Sequence, residues 1–215
     1  NKEFFGVQYS QNIANGVNLE GKVDYSQRKP LFNTSNYTFL KNDKSYTSNN
    51  PQAPDDYINP GFETHHLTIF NLNATINFGN KFITRPDGKY NIKNKKYPSL
   101  FLNYEKGFAA NEKKYEFDKV EAKISYNMLL KNKGELAVNF NVGKFFNAEN
   151  IAFIDYKHFN GNQTHIELSE KYLDAFLLMP YYSNSTNTSY FQLHSEYNDN
   201  GFIMNKIPLL NKLKS

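Results

Sequence analysis

Phe117-Asp118-Lys119-Val120-Glu121-Ala122-Lys123-Ile124-Ser125-Tyr126-Asn127-Met128 decides the fold of this chain, together with Leu136-Ala137-Val138-Asn139-Phe140-Asn141-Val142-Gly143. In the first run Val120, Ala122, Ile124, Tyr126 and Met128 are apolar, and Lys119, Glu121, Lys123, Ser125 and Asn127 between them are polar. In the second, Leu136, Val138, Phe140 and Val142 resume the rhythm against Ala137, Asn139, Asn141 and Gly143. Leu130-Lys131-Asn132-Lys133-Gly134 separates the two runs with turn chemistry. A strict period of two places one face of each strand in an apolar medium and the other in water. Function turns on which medium that is, a protein core or lipid.

The same rhythm recurs along the chain. A strand about Glu3–Ser10 alternates Phe5, Val7 and Tyr9. Asn15-Gly16, the strongest short hairpin signal, leads to a second with Val17, Leu19, Gly21, Val23 and Tyr25. A third carries Phe70, Leu72, Ala74, Ile76 and Phe78 against Asn71, Asn73, Thr75 and Asn77, and a fourth spans Tyr97–Lys106. The opening hairpin supplies the fifth and sixth, and Tyr190–Tyr197 is the seventh. Pro86-Asp87-Gly88 is turn chemistry within the connection after the third strand. The Asn-, Ser-, Thr- and Pro-rich stretch 28–62 and the irregular stretch 148–189 are too long for ordinary connections. Gly107–Tyr115 reads as a charged loop, and no amphipathic helix of ordinary length is visible. The class is all-β, an antiparallel meander.

Bulk properties exclude several functions. The chain has 215 residues, enough for one domain or part of a larger one. A net charge of +4, with basic and acidic residues interspersed, argues against nucleic acid as a partner. Mean hydropathy is −0.71 and no apolar run of about 18 residues exists, so no transmembrane helix is expected. A spanning β-strand needs only about 9–11 residues, half of them polar, so this leaves a membrane barrel open. With no cysteine there is no disulfide and no thiolate metal site. No signal peptide opens the chain, so it reads as mature, truncated or both.

The pattern alone is compatible with two media. A soluble sandwich or lipocalin-like barrel keeps its apolar face inside. Yet the polar faces here, Asn71/Asn73/Thr75/Asn77 and Ser125/Asn127 with Asn139/Asn141, are uncharged and hydrogen-bonding, as a crowded lumen would be. Aromatics near strand ends (Tyr25, Phe78, Tyr104, Tyr126, Phe145) fall where an interfacial girdle would sit. Connections after the first and fifth strands are tight, and those after the second and sixth are long, as in outer-membrane barrels. The connection after the third strand is middling.

Candidate sites are few. Glu63, His65 and His66 adjoin the third strand, but adjacent His side chains point to opposite sides of a strand and other elements would have to supply ligands. Asp155, His158 and His165 form a second, equally unsupported group. Neither a Gly-x-Ser-x-Gly elbow nor a Gly-rich phosphate loop is present, so no enzymatic motif and no cofactor is expected. Sequons beginning at Asn33, Asn36 and Asn162 match glycosylation acceptors. They are coincidental if the chain is a bacterial outer-membrane protein. Tyr37, Phe39, Tyr46, Tyr181 and Tyr182 suit either sugar stacking or packing of their loops.

Four phrases carry a resemblance: Tyr156-Lys157-His158-Phe159-Asn160-Gly161-Asn162-Gln163-Thr164, Met179-Pro180-Tyr181-Tyr182-Ser183, Gly201-Phe202-Ile203-Met204-Asn205-Lys206-Ile207-Pro208-Leu209-Leu210, and Tyr97-Pro98-Ser99-Leu100. With them the chain resembles an uncharacterised Bacteroidota outer-membrane family whose members join an N-terminal carboxypeptidase-regulatory-like domain to a large C-terminal β-barrel. It is more distantly similar to the BamA/TamA assembly superfamily of sixteen-stranded barrels, in which a long outside loop folds back into the lumen. That resemblance implies a partial transmembrane β-barrel over residues 1–215, about seven strands of a larger one. Segments 28–62 and 148–189 would be long outside or lumen loops, and 206–214 a short periplasmic connection. It implies outer-membrane localisation and a non-enzymatic structural, assembly or transport role. The partners implied are lipid, the remaining strands of the barrel, and other outer-membrane or periplasmic proteins.

The resemblance also marks Lys157, His158, Phe159, Asn160, Gly161, Asn162, Gln163 and Thr164 as a lumen-loop latch, with Gly161 as its hinge. No arginine accompanies Asn160-Gly161-Asn162, so the superfamily's lumen-anchoring arginine contact does not carry over. The residue-level alternative is a surface turn. The alternative for the whole chain is a soluble periplasmic or surface β-domain binding glycan or protein through 28–62.

Overall fold

The computed structural model describes residues 2–32, 47–92, 94, 96–161, 173–199 and 201. The polypeptide forms one seven-stranded antiparallel sheet and a separate two-stranded hairpin. In chain order the strands are β1 (Lys2–Ala14), β2 (Val17–Arg28), β3 (His65–Asn77), β4 (Lys81–Arg85), β5 (Gly88–Ile92), β6 (Ser99–Phe108), β7 (Phe117–Leu129), β8 (Glu135–Phe146) and β9 (Ser189–Asn198). The large sheet runs β1-β2-β3-β6-β7-β8-β9, so every strand pairs with its predecessor once the hairpin is set aside. Among the described residues helical structure is limited to single 3-10 turns at Lys113–Tyr115, Lys131–Lys133 and Phe153–Asp155.

The seven strands coincide with the alternating runs of the sequence. The hairpin β4–β5 was not foreseen: the middling connection after the third strand folds on itself, with the expected Pro86-Asp87 turn at its tip. The sheet is not closed. Among the described residues the outer edges of β1 and β9 have no strand partner.

Register gives the two faces opposite character. One carries Phe5, Val7 and Tyr9 of β1, Val23 and Tyr25 of β2, Leu72, Leu102, Val120, Ile124, Phe140, Val142, Phe191 and Leu193. All of these are exposed, Phe5 to 72% and Phe191 to 74%. The other carries Glu20, Lys22, Asn71, Asn73, Asn103, Glu105, Lys119, Glu121, Lys123, Asn139 and Asn141, aligned along shared rungs. Short contacts lace this polar face laterally: Lys119 to Glu105 at 3.0 Å, Asn103 to Asn73 at 2.6 Å and Asn73 to Glu20 at 3.1 Å.

The apolar band drifts across the sheet. Its margin toward the long connections lies at Phe5 on β1, below Glu3, and at Phe191 on β9, below Ser189. The rung through Phe191 passes Val142, Ala122, Leu102, Ala74 and Leu19 and meets β1 at Gln11. The margin therefore shifts by about one residue per strand. With about 3.3 Å per residue and about 4.8 Å between strands, the strands incline about 35° to the band's normal.

The small core lies on the polar side, at the end with the long connections. There the residues on that side become apolar: Leu67, Phe117, Phe145 and Tyr190 pack with Ala148 and Ile151 of the β8–β9 connection. Phe145, expected in the girdle, is in this core at 5% exposure, and its neighbour Phe146 faces outward. The strand continues one residue past the expected band, so the period of two assigns consecutive phenylalanines to opposite faces.

Candidate functional site

The connection between β8 and β9 starts at Asn147 and folds over the polar face. Two bonds brace its base: Phe145 N donates to Thr188 O at 2.7 Å, and Asn187 Nδ2 to Ala148 O at 2.7 Å. Lys157 and Thr186 bond reciprocally, Lys157 N to Thr186 O at 2.8 Å and Thr186 N to Lys157 O at 3.1 Å, drawing the two limbs together. From that rim the loop descends to Asn139 on β8, about 20 Å along the strand at 3.3 Å per residue.

Three charge-assisted contacts hold it. Arg28 at the end of β2 pairs with Asp155, both side chains 6% exposed. Lys157 Nζ lies 3.2 Å from Glu121 Oε2 on β7 and 5.0 Å from the centre of the Tyr190 ring. Glu121 also accepts from the Tyr190 hydroxyl and from Asn141 Nδ2 at 3.2 Å. Deeper, Lys123 Nζ reaches both carboxylate oxygens of Asp174, at 3.0 and 3.1 Å, and Asn139 Nδ2 donates to Asp174 Oδ1 at 2.9 Å. Asp174 has φ of +96°, a conformation that costs a non-glycine residue on the order of 1 kcal/mol or more and is retained here by those donors. Such bonds are about twice as strong as neutral ones. They alternate in sense, with a wall acid meeting a loop base and wall bases meeting loop acids.

Of the residues marked as the latch, Lys157, His158, Phe159, Asn160 and Gly161 lie on this descending limb. Asn162, Gln163 and Thr164 lie outside the described residues. Phe159 packs edge-on to Phe176 and Tyr190, with ring centres 6.0 and 5.9 Å apart. Asn160 accepts from Phe176 N at 2.8 Å and donates through Nδ2 to Asp174 O at 3.1 Å. Gly161 serves close approach: a Cβ there would fall 2.4 Å from Met179 O. His158 Nδ1 is 2.7 Å from Ser185 Oγ, with Phe153 and Tyr182 edge-on to its ring. Burial pushes its imidazole pKa below the ordinary value, against a smaller opposing effect from the Phe153 backbone.

Some partners were not foreseen. Glu121, Lys123, Tyr190 and Arg28 anchor the loop. The available signal was the charge triplet Lys119-Glu121-Lys123 on the polar face of β7, where it gives way to Ser125 and Asn127. The loop reaches Glu121 through a lysine, and the arginine contact runs from the wall to the loop. Among the described residues the other candidate groups have separate partners. His65 is buried against Tyr115 with ring centres 3.8 Å apart, while His66 faces the apolar side and bonds Tyr25 Oη at 2.8 Å. Asp155 is occupied by Arg28, and His165 lies outside the described residues, as do 206–214 and most of the aromatic stretch near Tyr37. Among the described residues no three His, Asp or Glu side chains converge to hold a metal.

These features define a class: an open all-β meander whose described residues leave its apolar face exposed and cover part of its polar face with a loop. The chain belongs to the family described as "Family of unknown function (DUF5686) C-terminal domain", which it matches over residues 1–215. No curated protein matches it, and no solved structure does.

Proposed function

We propose that this domain is wall of an outer-membrane β-barrel, with its apolar face on lipid and its polar face on a lumen that the 147–188 loop partly fills. Its role is structural, in assembly or transport, and not enzymatic. The observation that carries this reading is the inverted covering of the sheet. Soluble proteins rarely leave a continuous apolar patch bare, and moving each such side chain out of water is worth about 1.5–3 kcal/mol when complete. Here the described parts of the long loop leave that face untouched and seat on the polar one. Strand inclination of about 35° and the alternation of connections fit the same reading. Tyr126, whose hydroxyl bonds Lys96 O at 3.2 Å, and Tyr197, bonded to Lys133 O, would sit at the interface by the turns.

The resemblance to the Bacteroidota outer-membrane family and to the BamA/TamA barrels supports the same location. In hydrocarbon, each unpaired backbone group costs several kcal/mol, so the edges of β1 and β9 would be met there by further strands of the barrel.

The test places a tryptophan at Val142 in the band of the full-length protein, in vesicles of brominated phosphatidylcholine. Difference emission against the unsubstituted protein should be strongly quenched by Val142→Trp and unquenched by Gln8→Trp, which faces the polar side. A protein that stays monodisperse without amphiphile, with no quenching at position 142, would overturn the reading.

A further inference from the structure

Among the described residues the hairpin β4–β5 stands apart from the large sheet and from the 147–188 loop. It pairs with neither β3 nor β6 and stands at the end of the sheet opposite the 147–188 loop. Its base is tied to that rim: Asn15 Nδ2 donates to Asn80 O at 2.8 Å, and Asn94 Nδ2 to Gly79 O at 3.2 Å. Tyr126, at the margin of the apolar band, bonds the backbone of Lys96 in the same connection.

Pairing of Lys81 with Ile92, Ile83 with Tyr90 and Arg85 with Gly88 puts Lys81, Ile83, Arg85, Tyr90 and Ile92 on one face. All five are exposed. Three apolar side chains thus lie between two cations, with Arg85 also 5.3 Å over the Tyr90 ring.

Charge sets this end apart. The sequence of 81–96 holds Lys81, Arg85, Lys89, Lys93, Lys95 and Lys96 against the single acid Asp87. The neighbouring β7–β8 turn adds Lys131 and Lys133, both exposed. None of Lys81, Arg85, Lys96, Lys131 and Lys133 enters an ion pair among the described residues; at the other end Lys106, Lys114 and Arg28 are paired with carboxylates, while Lys2, Lys113 and Lys144 are not. A small apolar face rimmed by cations, beside the margin of an apolar band, matches a surface of acyl chains capped by anionic headgroups.

We propose that the β4–β5 hairpin is an interfacial anchor that binds anionic phospholipid headgroups in the leaflet at the turn side. Ile83, Tyr90 and Ile92 sink into the headgroup boundary, and Lys81 and Arg85 meet the phosphates. The basic turn Lys131–Lys133 extends the same field. The anchor rests on the barrel reading above, and it would fix the height and the sidedness of the wall in the bilayer.

The experiment uses the full-length protein with Ile83→Trp, reconstituted in vesicles carrying brominated phosphatidylglycerol or brominated phosphatidylcholine. Val142→Trp serves as the reference. The expected result is blue-shifted emission from position 83 and preferential quenching by the anionic lipid, by roughly fivefold in local enrichment for each cation engaged. Lys81→Gln with Arg85→Gln should abolish the preference, as should salt raised to about 1 M, where screening shortens to about 3 Å. Both substituted residues are exposed, so the fold is not at stake.

Emission from position 83 that stays water-like in both lipids would overturn the anchor, and would leave an acidic protein as the occupant. Quenching equal in both lipids and indifferent to the two Gln substitutions would overturn it too, by reducing the contact to apolar burial. If Val142→Trp is quenched in either case, the barrel reading survives and only the anchor falls. If Val142→Trp is unquenched, the barrel reading fails and the anchor with it.

Discussion

Gly143 sits between Glu121 and Tyr190 on one rung of the sheet, and the missing side chain is what brings those two together. A Cβ at Gly143 would lie 2.4 Å from the Tyr190 ring, so the ring occupies the space and its hydroxyl passes across to Glu121. Gly143→Ala should therefore displace Tyr190 and remove one of the donors that stabilise the Glu121 carboxylate. Overpacking of this kind costs about 1–3 kcal/mol. The expected readout is faster amide exchange over residues 148–161, with exchange in β1–β3 unchanged, and protection equal to the parent would refute the role given to the ring. This site was hard to read from sequence, because in a strand glycine reads as an interruption of side-chain packing. Phe145 shows the same limit. An aromatic at a strand end suits an interface girdle and a buried cluster equally, and only register decides between them.

The β8–β9 connection behaves as an element in its own right, held by ion pairs and a small aromatic core. Lys157→Ala leaves Glu121 under the loop without its cation and should weaken attachment by about 1–3 kcal/mol. Limited proteolysis should then cut within 148–161 more quickly while the strands stay intact. Equal cleavage of variant and parent would mean that Lys157 does not hold the loop.

His158 makes the same attachment sensitive to acid. Its pKa is depressed in the folded loop, so burying the neutral ring contributes in full above the ordinary value of about 6.5. That contribution is lost as pH falls through the folded value. Cleavage in 148–161 should rise as pH falls below about 6.5, and His158→Gln should reduce the dependence, since His194 also lies against the loop, 4.4 Å from the Phe176 ring. That this segment would fold back on the strands was implied only by the resemblance its Tyr156–Thr164 phrase carries, since its own residues suit a surface turn equally. Its partners were not legible, because they come from β2, β7, β8 and β9, and contacts between residues distant in the chain leave no local trace.

For the molecule as a whole, the seven large strands, their order and their antiparallel sense follow from a period of two and from turn chemistry such as Asn15-Gly16 and Leu130–Gly134. Both signals are local, which is why they were readable. The hairpin β4–β5 was not, since Phe82, Ile83, Tyr90 and Ile92 alternate too briefly to separate a strand from a loop. Which face would be covered was also open, because alternation fixes that two faces differ and is silent on what touches each.

The seating of the 147–188 loop has a consequence for how the sheet reaches its final form. Its anchors are side chains of β2, β7, β8 and β9, and each points inward only in the native pairing. A slip of one residue between neighbouring strands turns every side chain of the slipped strand to the opposite side. Glu121 would then face away from Lys157, and Lys123 away from Asp174. The loop's contacts are thus consistent only with correctly matched neighbours beneath it, so a one-residue slip should cost the chain these attachments as well as the pairing itself.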